Sequence, residues 1–336
     1  MVIAEFWHRS KNLGIIVLSI VGGLAATVIL PRVVDWIPYD YLVYVQGGRM
    51  IRDGINPHAM LPYWYPLPIT LFTTVLWSFL PDQFAWAFAF IPLGLLHLRY
   101  GKSAPLAWLF FPLLINLAYA QAEAWLLFPM FWLLNDEPTK SSIGILALMF
   151  KPAYGMLIVP YRIVQWIRDR CWRNLSVLIV LGIIMFGAAF IVDPAWIGHF
   201  IDAILHRGDN PELRVRNMTL WAFARYDWIG YGLAILAIAI LLWLSIRLWR
   251  HNRARADVLL AWSLFIFPNG LNPVSSMMVL PLMQTPRELL ALVIVSWGVA
   301  GLDIIVGGFG GVYLLIVLVA LVIKQRRLAL QQAAVL

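Results

Sequence analysis

The stretch LGIIVLSIVGGLAATVIL, residues 13–30, contains eighteen consecutive residues without a charge. A helix needs about 20 apolar residues to cross a bilayer, and as few as about 17 suffice. The preceding MVIAEFWHRSKN resembles the charged start of a signal peptide, but no small-residue cleavage site follows, since the run meets Pro31-Arg32 directly. We therefore expect a retained first membrane helix.

The composition of the whole chain points the same way. Of its 336 residues, 62% are hydrophobic and 12% are charged, whereas a soluble domain has roughly 45–50% apolar and about 25% charged residues. So few charges exclude a soluble protein of this length. The net charge of +8 is then expected to reflect basic cytoplasmic loops rather than a nucleic-acid partner. The single cysteine, Cys171, excludes an intrachain disulfide and a thiolate metal cluster.

Apolar runs recur along the chain, many of them shorter than a bilayer span. They lie at 13–30, 66–80, 84–98, 105–118, 122–134, 141–150, 153–165, 174–192, 228–247, 257–271, 274–283, 289–303 and 305–323. The proline-rich run at 66–80 is expected to be a juxtamembrane or re-entrant helix, and short runs such as 141–150 and 274–283 to be half-helices that meet inside the protein. This predicts an all-α polytopic membrane protein with about twelve membrane segments.

The distribution of charge predicts the orientation. With 66–80 not spanning, 17 of the 25 lysines and arginines lie on one side and 8 on the other. Because basic residues are enriched on the cytoplasmic side, both termini are predicted to be cytoplasmic. Eleven of the 17 acidic residues gather on the opposite, outer face, so we expect any chemistry there. The chain is predicted to be one integral domain, 1–336, made of a module at 1–192, an outer loop at 193–227 and C-terminal helices at 228–336.

The first outer segment, 31–65, contains a predicted interfacial helix. Tyr41, Tyr44, Val45, Gly48 and Ile51 recur at helical spacing, which predicts a helix in the membrane plane with its tyrosine rings at headgroup depth. Gly54 is the expected cap at its C-terminus. Asp40 lies in the first turn, where a carboxylate commonly compensates the helix dipole. A general base is the functional alternative.

Two further positions carry ionisable side chains in apolar surroundings. Gln121 and Glu123 lie at the top of a predicted short helical hairpin, where the carboxylate is either hydrated or directed into a cavity. Lys151 separates two half-length helices and is predicted to meet an anion, because ionisable residues in membrane segments are functional candidates by default. The alternative is a lysine that extends to the headgroups as an anchor.

The second outer loop supplies further cations. Arg214 and Arg216, followed by Asn217, offer guanidinium and amide donors that suit a phosphate or pyrophosphate. A solvated loop face is the alternative. His199 and His206 are seven residues apart without a carboxylate in register, so we expect no metal site.

Several of these elements, taken in order, resemble a known family. They are Asp40-Tyr-Leu-Val-Tyr44, Gly54-Ile-Asn-Pro-His58, Tyr65-Pro66-Leu-Pro68, Ala120-Gln121, Lys151-Pro152, Asn217-Met-Thr-Leu220 and Asn272-Pro273-Val-Ser-Ser276. The set is similar to the landmarks of the bacterial alpha-1,2-mannosyltransferase-like family in the polyprenol-phosphate-sugar-dependent glycosyltransferase superfamily C (GT-C). The chain departs from the family pattern at His58, Leu67, Ala120 and Ser276, which replace a tyrosine, a proline, a glycine and an aromatic residue.

The resemblance implies a GT-C-like catalytic module at 1–192 and an enzyme that transfers a sugar, with mannose favoured, on the extracytoplasmic face of the cell membrane. Its partners would be a polyprenyl-phosphate-linked sugar donor, a glycan or glycolipid acceptor and membrane lipids, with no cofactor. Asp40 would be the catalytic base, and Lys151, Arg214 and Arg216 would bind the donor phosphate. The residues expected to contact sugar or acceptor are Tyr41, Tyr44, Asn56, Trp64, Tyr65, Gln121, Glu123 and Asn217.

Two other functions compete with transfer. A polyprenyl-lipid carrier or flippase would be expected to have internal repeats and polar residues through the whole membrane depth. The sequence has no detectable repeat, and its polar residues crowd one face. A non-catalytic GT-C-like membrane protein would leave Lys151 and the ordered motifs unexplained.

Overall fold

A computed structural model describes residues 2–59, 65–135, 139–207, 218–225, 227–267, 273–306 and 309–334. Every regular element in these ranges is helical, and they contain no β-strand. The prediction of an all-α protein is confirmed for this part of the chain.

The first half of the chain forms eleven α-helical elements within the described ranges. They are α1 (Val2–Ile29), α2 (Tyr39–Arg52), α3 (Leu67–Trp77), α4 (Phe84–Leu95), α5 (His97–Tyr100), α6 (Ala104–Trp108), α7 (Phe111–Tyr119), α8 (Glu123–Asn135), α9 (Lys140–Leu148), α10 (Ile158–Arg168) and α11 (Trp172–Val192). The middle of α3 widens into a π-helical turn at Thr70–Thr74.

The second half continues with longer helices. They are α12 (Trp196–Arg207), α13 (Asp227–Trp249), α14 (Arg255–Ile266), α15 (Pro286–Ile305) and α16 (Leu314–Ala333). The buried segment Pro273–Leu282 is a 3₁₀ helix that contacts α8, α7 and α16. The outer loop predicted at 193–227 therefore contains a twelve-residue helix, α12.

Four helices in the described ranges are long and apolar enough to cross a membrane: Lys11–Arg32, Trp172–Val192, Trp228–Trp249 and Pro286–Ile305. A fifth span is counted if Phe84–Trp108 and Phe111–Tyr119, which meet at 89°, form one bent crossing. The prediction of about twelve segments is not confirmed. The nine-residue α9, for example, is about 14 Å long at 1.5 Å per residue, roughly half of a hydrocarbon core of about 30 Å.

The segment predicted to be the first outer one, 31–65, forms the predicted helix, but the surroundings of the apolar face of that helix differ from the prediction. α2 spans Tyr39–Arg52 with Asp40 in its first turn, and Gly54 follows it with φ +75°, as the spacing and the glycine indicated. The tyrosine stripe does not lie among headgroups, however. Tyr41 and Tyr44 are completely buried, and Tyr41 packs against Phe84 and Phe88 of α4. The apolar face of α2 is covered by protein.

Close packing of α2 on α3 is possible because of Gly48. A Cβ atom at this position would lie 2.5 Å from the carbonyl carbon of Thr74 and 2.9 Å from the backbone nitrogen of Val75. At the next residue, Arg49, α2 is tied to the connection before α4 by an ion pair of 2.7 Å with Asp82. These contacts hold the helix that carries Asp40.

Candidate functional site

The centre of the candidate site is the turn between α7 and α8. α7 ends at Ala120, which adopts the left-handed conformation with φ 50°. Side chains then accept the hydrogen bonds of the first N–H groups of α8. The Tyr44 hydroxyl accepts from the Ala122 N–H (3.2 Å), and Asn116 Oδ1 accepts from the Ala124 N–H (3.2 Å). The turn is thereby fixed to both α2 and α7.

Glu123, the first residue of α8, occupies this turn with no exposed surface. Its Oε1 atom accepts a hydrogen bond from Lys151 Nζ in an ion pair and a second one from the Tyr154 hydroxyl at 3.1 Å. Tyr154 is in turn 2.7 Å from Ser275 Oγ. In the described part of the chain, the other carboxylate oxygen, Oε2, has no hydrogen-bond partner. A buried carboxylate thus joins segments separated by up to 152 residues, the distance in sequence from Glu123 to Ser275 (275 minus 123).

Lys151 was predicted to meet an anion, and within the described residues that anion is Glu123. The lysine is neither an isolated cation nor a headgroup anchor, since its ammonium group is held by Glu123. Its position between two short helices was predicted correctly, because α9 ends at Leu148 and a 3₁₀ turn begins at Pro152. An unpaired ammonium in this apolar interior would be costly, and a carboxylate partner removes most of that cost.

Aromatic rings line one side of the ion pair. The ring centroid of Tyr44 lies 5.0 Å from Tyr65 and 5.2 Å from Phe150, and Tyr65 and Phe150 are 4.8 Å apart. Phe150 directly precedes Lys151, and Tyr65 is partly exposed. The three rings therefore form an apolar wall from the partly exposed Tyr65 to the buried ion pair.

Asp40 belongs to the same neighbourhood. Its side chain is partly exposed at the first turn of α2. Burial raises the pKa of Tyr44 well above its ordinary value, and the nearby carboxylates of Asp40 and Glu123 raise it further. Both carboxylates are therefore close enough to Tyr44 to act on its phenol. Gln121, which was also predicted, is buried two residues before Glu123, with its N–H bonded to the Asn116 carbonyl (3.2 Å).

Asn56 joins the two segments that were predicted to be outer, 31–65 and 193–227, to each other. Its Oδ1 accepts from the His58 N–H (2.9 Å), and its Nδ2 donates to Asp193 Oδ2 (2.8 Å). His199 Nδ1, on α12, is also 2.8 Å from Asp193 Oδ2. His58 Nε2 lies 3.0 Å from the Tyr65 carbonyl oxygen. This outer latch, defined as Asn56, His58, Asp193 and His199, connects α12 to the loop that leads to Tyr65.

Two groups of the outer latch have shifted pKa values. Burial lowers the pKa of His58 below its ordinary value, although the Tyr65 carbonyl opposes the shift. Partial burial raises the pKa of Asp193, but hydrogen bonds from His199, the Ala195 N–H and Asn56 together lower it, and the net shift is downward. The latch is therefore stable when His58 is neutral and Asp193 is ionised.

Four predicted residues, Trp64, Arg214, Arg216 and Asn217, lie outside the described residues. Tyr41 lies beside Tyr44 on α2, and its buried hydroxyl has no hydrogen-bond partner in the described ranges. Those ranges also contain no group of three or more histidine, cysteine or acidic side chains that could hold a metal ion.

Phe150 and three polar residues of the site, Asn116, Tyr154 and Ser275, were not predicted. Asn116 is the only strongly polar side chain in the α7 sequence FPLLINLAY, and such an isolated amide indicates an internal partner. Tyr154 follows Lys151-Pro152 by two residues, and Ser275 belongs to the Asn-Pro-Val-Ser-Ser sequence already noted. Their hydrogen bonds depend on tertiary contacts, which local spacing does not specify.

Comparison of the chain with protein-family models, curated proteins and solved structures finds no match in any of the three.

Proposed function

We propose that the protein is a glycosyltransferase that uses a polyprenyl-phosphate-linked sugar, with mannose favoured, and transfers the sugar with inversion to a hydroxyl group on the extracytoplasmic face. The proposal includes a GT-C-like module at 1–192, the finer division into about twelve membrane segments, and two cytoplasmic termini. The class of protein and the donor come from the sequence resemblance, and the geometry of the described residues supplies physical support.

The observation that carries the proposal is the convergence of the ordered motifs. Asp40 and Tyr44 from the first motif, Glu123 beside the Ala-Gln pair, Lys151 from the Lys-Pro pair and Ser275 from the last motif belong to one connected neighbourhood. These residues are separated by up to 235 positions in the sequence (275 minus 40). A common role at one site is what the proposal offers for the meeting of these motifs.

The proposed reaction needs one base and one cation. Asp40 takes the proton of the acceptor hydroxyl as its oxygen attacks the anomeric carbon. The bond from that carbon to the phosphate oxygen breaks, and the lipid phosphate leaves with the electron pair. Lys151 stabilises the negative charge of the leaving phosphate. A single displacement of this kind inverts the anomeric centre and requires no cofactor.

The remaining predicted contacts follow from the shape of the neighbourhood. Tyr65, the partly exposed end of the aromatic wall, supplies a ring face that suits the C–H surface of a sugar. Gln121 and Glu123 are the neighbours of Ala122, whose N–H donates to the hydroxyl of Tyr44 in this wall. In the proposal, Arg214 and Arg216 add to the phosphate site, while Trp64 and Asn217 contact the sugar.

The test compares the purified wild-type protein with Asp40→Asn in detergent. Labelled polyprenyl-phosphate-mannose is the donor, and mannosides and glycolipids are the acceptors. We expect a rate at least about a hundredfold lower for Asp40→Asn, the usual effect of removing a general base. Asp53→Asn is the matched control, because Asp53 is an exposed carboxylate at the other end of the same helix. It is expected to transfer label like the wild type.

The outcomes separate the competing functions. Wild-type turnover in Asp40→Asn would refute the assignment of the base. Donor binding without transfer to any acceptor would favour the lipid carrier over the transferase. A product with retained anomeric configuration would refute the single displacement.

A further inference from the structure

The Glu123–Lys151 pair is asymmetric with respect to solvent. The Glu123 side chain has no exposed area, whereas 14% of the Lys151 side chain is exposed. The carboxylate is therefore the more deeply buried partner, and the exposed part of the pair belongs to Lys151. In the described part of the chain, Glu123 is the hydrogen-bond partner of Lys151 Nζ. Since an ammonium group has three N–H donors, two remain for another acceptor.

Glu123 keeps other stabilising partners when Lys151 is withdrawn. The Tyr154 hydroxyl donates to Oε1 at 3.1 Å, and Ser275 fixes Tyr154 at 2.7 Å. Glu123 is also the first residue of α8, where the partial positive charge of the helix N-terminus favours a carboxylate. Withdrawal of the lysine therefore does not leave an unstabilised buried charge, which is the costly result of breaking most buried ion pairs.

We propose that Glu123 and Lys151 form an exchangeable ion pair, in which a phosphate group takes Lys151 from Glu123 and returns it on leaving. The inference rests on the proposed function for the source of the phosphate, a polyprenyl lipid, and adds a means of releasing it. Charge-assisted bonds from lysine to phosphate are strong. The net affinity is the difference between the phosphate and the Glu123 interactions of the same ammonium group. Glu123 is thus a positioning residue that weakens phosphate binding and promotes product release.

The exchange predicts effects of opposite sign for two neighbouring variants. Glu123→Gln removes the competing charge, so phosphate binding is expected to tighten about tenfold, or about 1.4 kcal/mol. Tyr154→Phe removes the donor that stabilises Glu123 after Lys151 has left, so binding is expected to weaken several-fold. Lys151→Gln is expected to weaken binding at least tenfold. A merely structural role for the pair predicts weaker binding in all three variants.

The experiment measures the Kd of a sugar-free polyprenyl phosphate for the full-length protein in lipid nanodiscs, with inorganic phosphate as a second probe. Asp257→Asn is the matched control, because Asp257 is another buried acid, 2.7 Å from a lysine (Lys324), outside this site. Its Kd is expected to stay within twofold of the wild-type value. The same ranking with both probes means that the phosphate group alone drives the exchange. A ranking seen with the lipid alone means that the prenyl chain is needed as well.

Equal or weaker binding by folded Glu123→Gln overturns the inference. Unchanged binding by Lys151→Gln also overturns it, and so does a wild-type protein that binds neither of the two probes. If Glu123→Gln does not fold, Tyr154→Phe keeps the inference falsifiable, because unchanged binding by that variant overturns it. The probes carry no sugar, so the measurement is independent of transfer. The expected ranking without transfer refutes only the proposed function, whereas transfer without the ranking refutes only the exchange.

Discussion

Gly48→Ala tests whether the close approach of α2 and α3 holds the candidate site. The added Cβ would lie 2.5 Å from the carbonyl carbon of Thr74, and ordinary contact begins at 3.4 Å. The Thr74 carbonyl oxygen is nearer still, so the two helices must separate by more than 0.9 Å (3.4 minus 2.5). The obstacle is backbone, which cannot rotate away like a side chain. Overpacking costs typically about 1–3 kcal/mol, and we expect the upper end here.

Better helix propensity of alanine returns about 1 kcal/mol, so Gly48→Ala is expected to lose about 2 kcal/mol of stability. At roughly 2 °C per kcal/mol for a chain of this size, the unfolding temperature falls by about 4 °C. The assay is thermal unfolding in detergent, followed by the fluorescence of the 17 tryptophans. Gly198→Ala is the matched control, because Gly198 lies in α12 with no atom within 4 Å of the added Cβ. An unfolding temperature for Gly48→Ala equal to or above that of the wild type would refute the argument.

Two further predictions concern other parts of the molecule. The outer latch should lose stability as pH falls. The lowered pKa of His58 means that the folded state resists protonation, so the stability present at pH 7–8 declines below the ordinary histidine pKa of about 6.5. The lowered pKa of Asp193 adds a further loss of stability below about pH 4. Thermal unfolding between pH 8 and 5 should show a smaller decline for His58→Gln than for the wild type, and identical profiles would contradict this assignment. Buried Arg162 donates to the Leu133 and Leu134 carbonyls at the end of α8 (2.9 and 2.8 Å), so Arg162→Met should lose about 2–4 kcal/mol by leaving both unpaired. Arg162→Lys should recover only part of this loss in the same assay, since lysine lacks the planar guanidinium group that donates to both carbonyls at once. Full recovery of stability would show that the positive charge alone suffices.

The α2 region separates what spacing predicts from what it does not. The helix and its end were predictable because the apolar period is local and because Gly54 takes φ +75°. The predicted environment of its apolar face was wrong. A stripe that contains Tyr41 and Tyr44 requires cover, but the period is the same whether lipid or protein provides it. The cover comes from Phe84 and Phe88, more than forty residues away.

The expected number of membrane segments was affected by the same limit. An apolar run specifies that a segment avoids water, and burial within protein satisfies that requirement as well as lipid does. In α8, nine of thirteen residues are buried, whereas in Trp172–Val192 only 11% of the most apolar window is buried. The apolar side chains of Trp172–Val192 are left for lipid to cover, whereas those of α8 are already covered by protein. Hydropathy alone does not distinguish these two cases.

The ion pair at the site could be predicted in part from the sequence. Glu123 and Lys151 both lie in apolar surroundings on the same predicted face, and neither charge is tolerated alone in a dry interior. An ion pair between the two residues could therefore have been predicted. Glu123 was instead assigned to the sugar and Lys151 to the phosphate, separately and without considering that they pair with each other. The side chains that hold Glu123 in place could not be identified from the sequence, because it contains many tyrosine and serine residues with the same chemistry. Only the packing of Pro273–Leu282 against α8 brings Ser275 to Tyr154, and through it to Glu123. The residues that tune a buried charge are thus the last to be visible in a sequence, because their role depends on contacts rather than on their own chemistry.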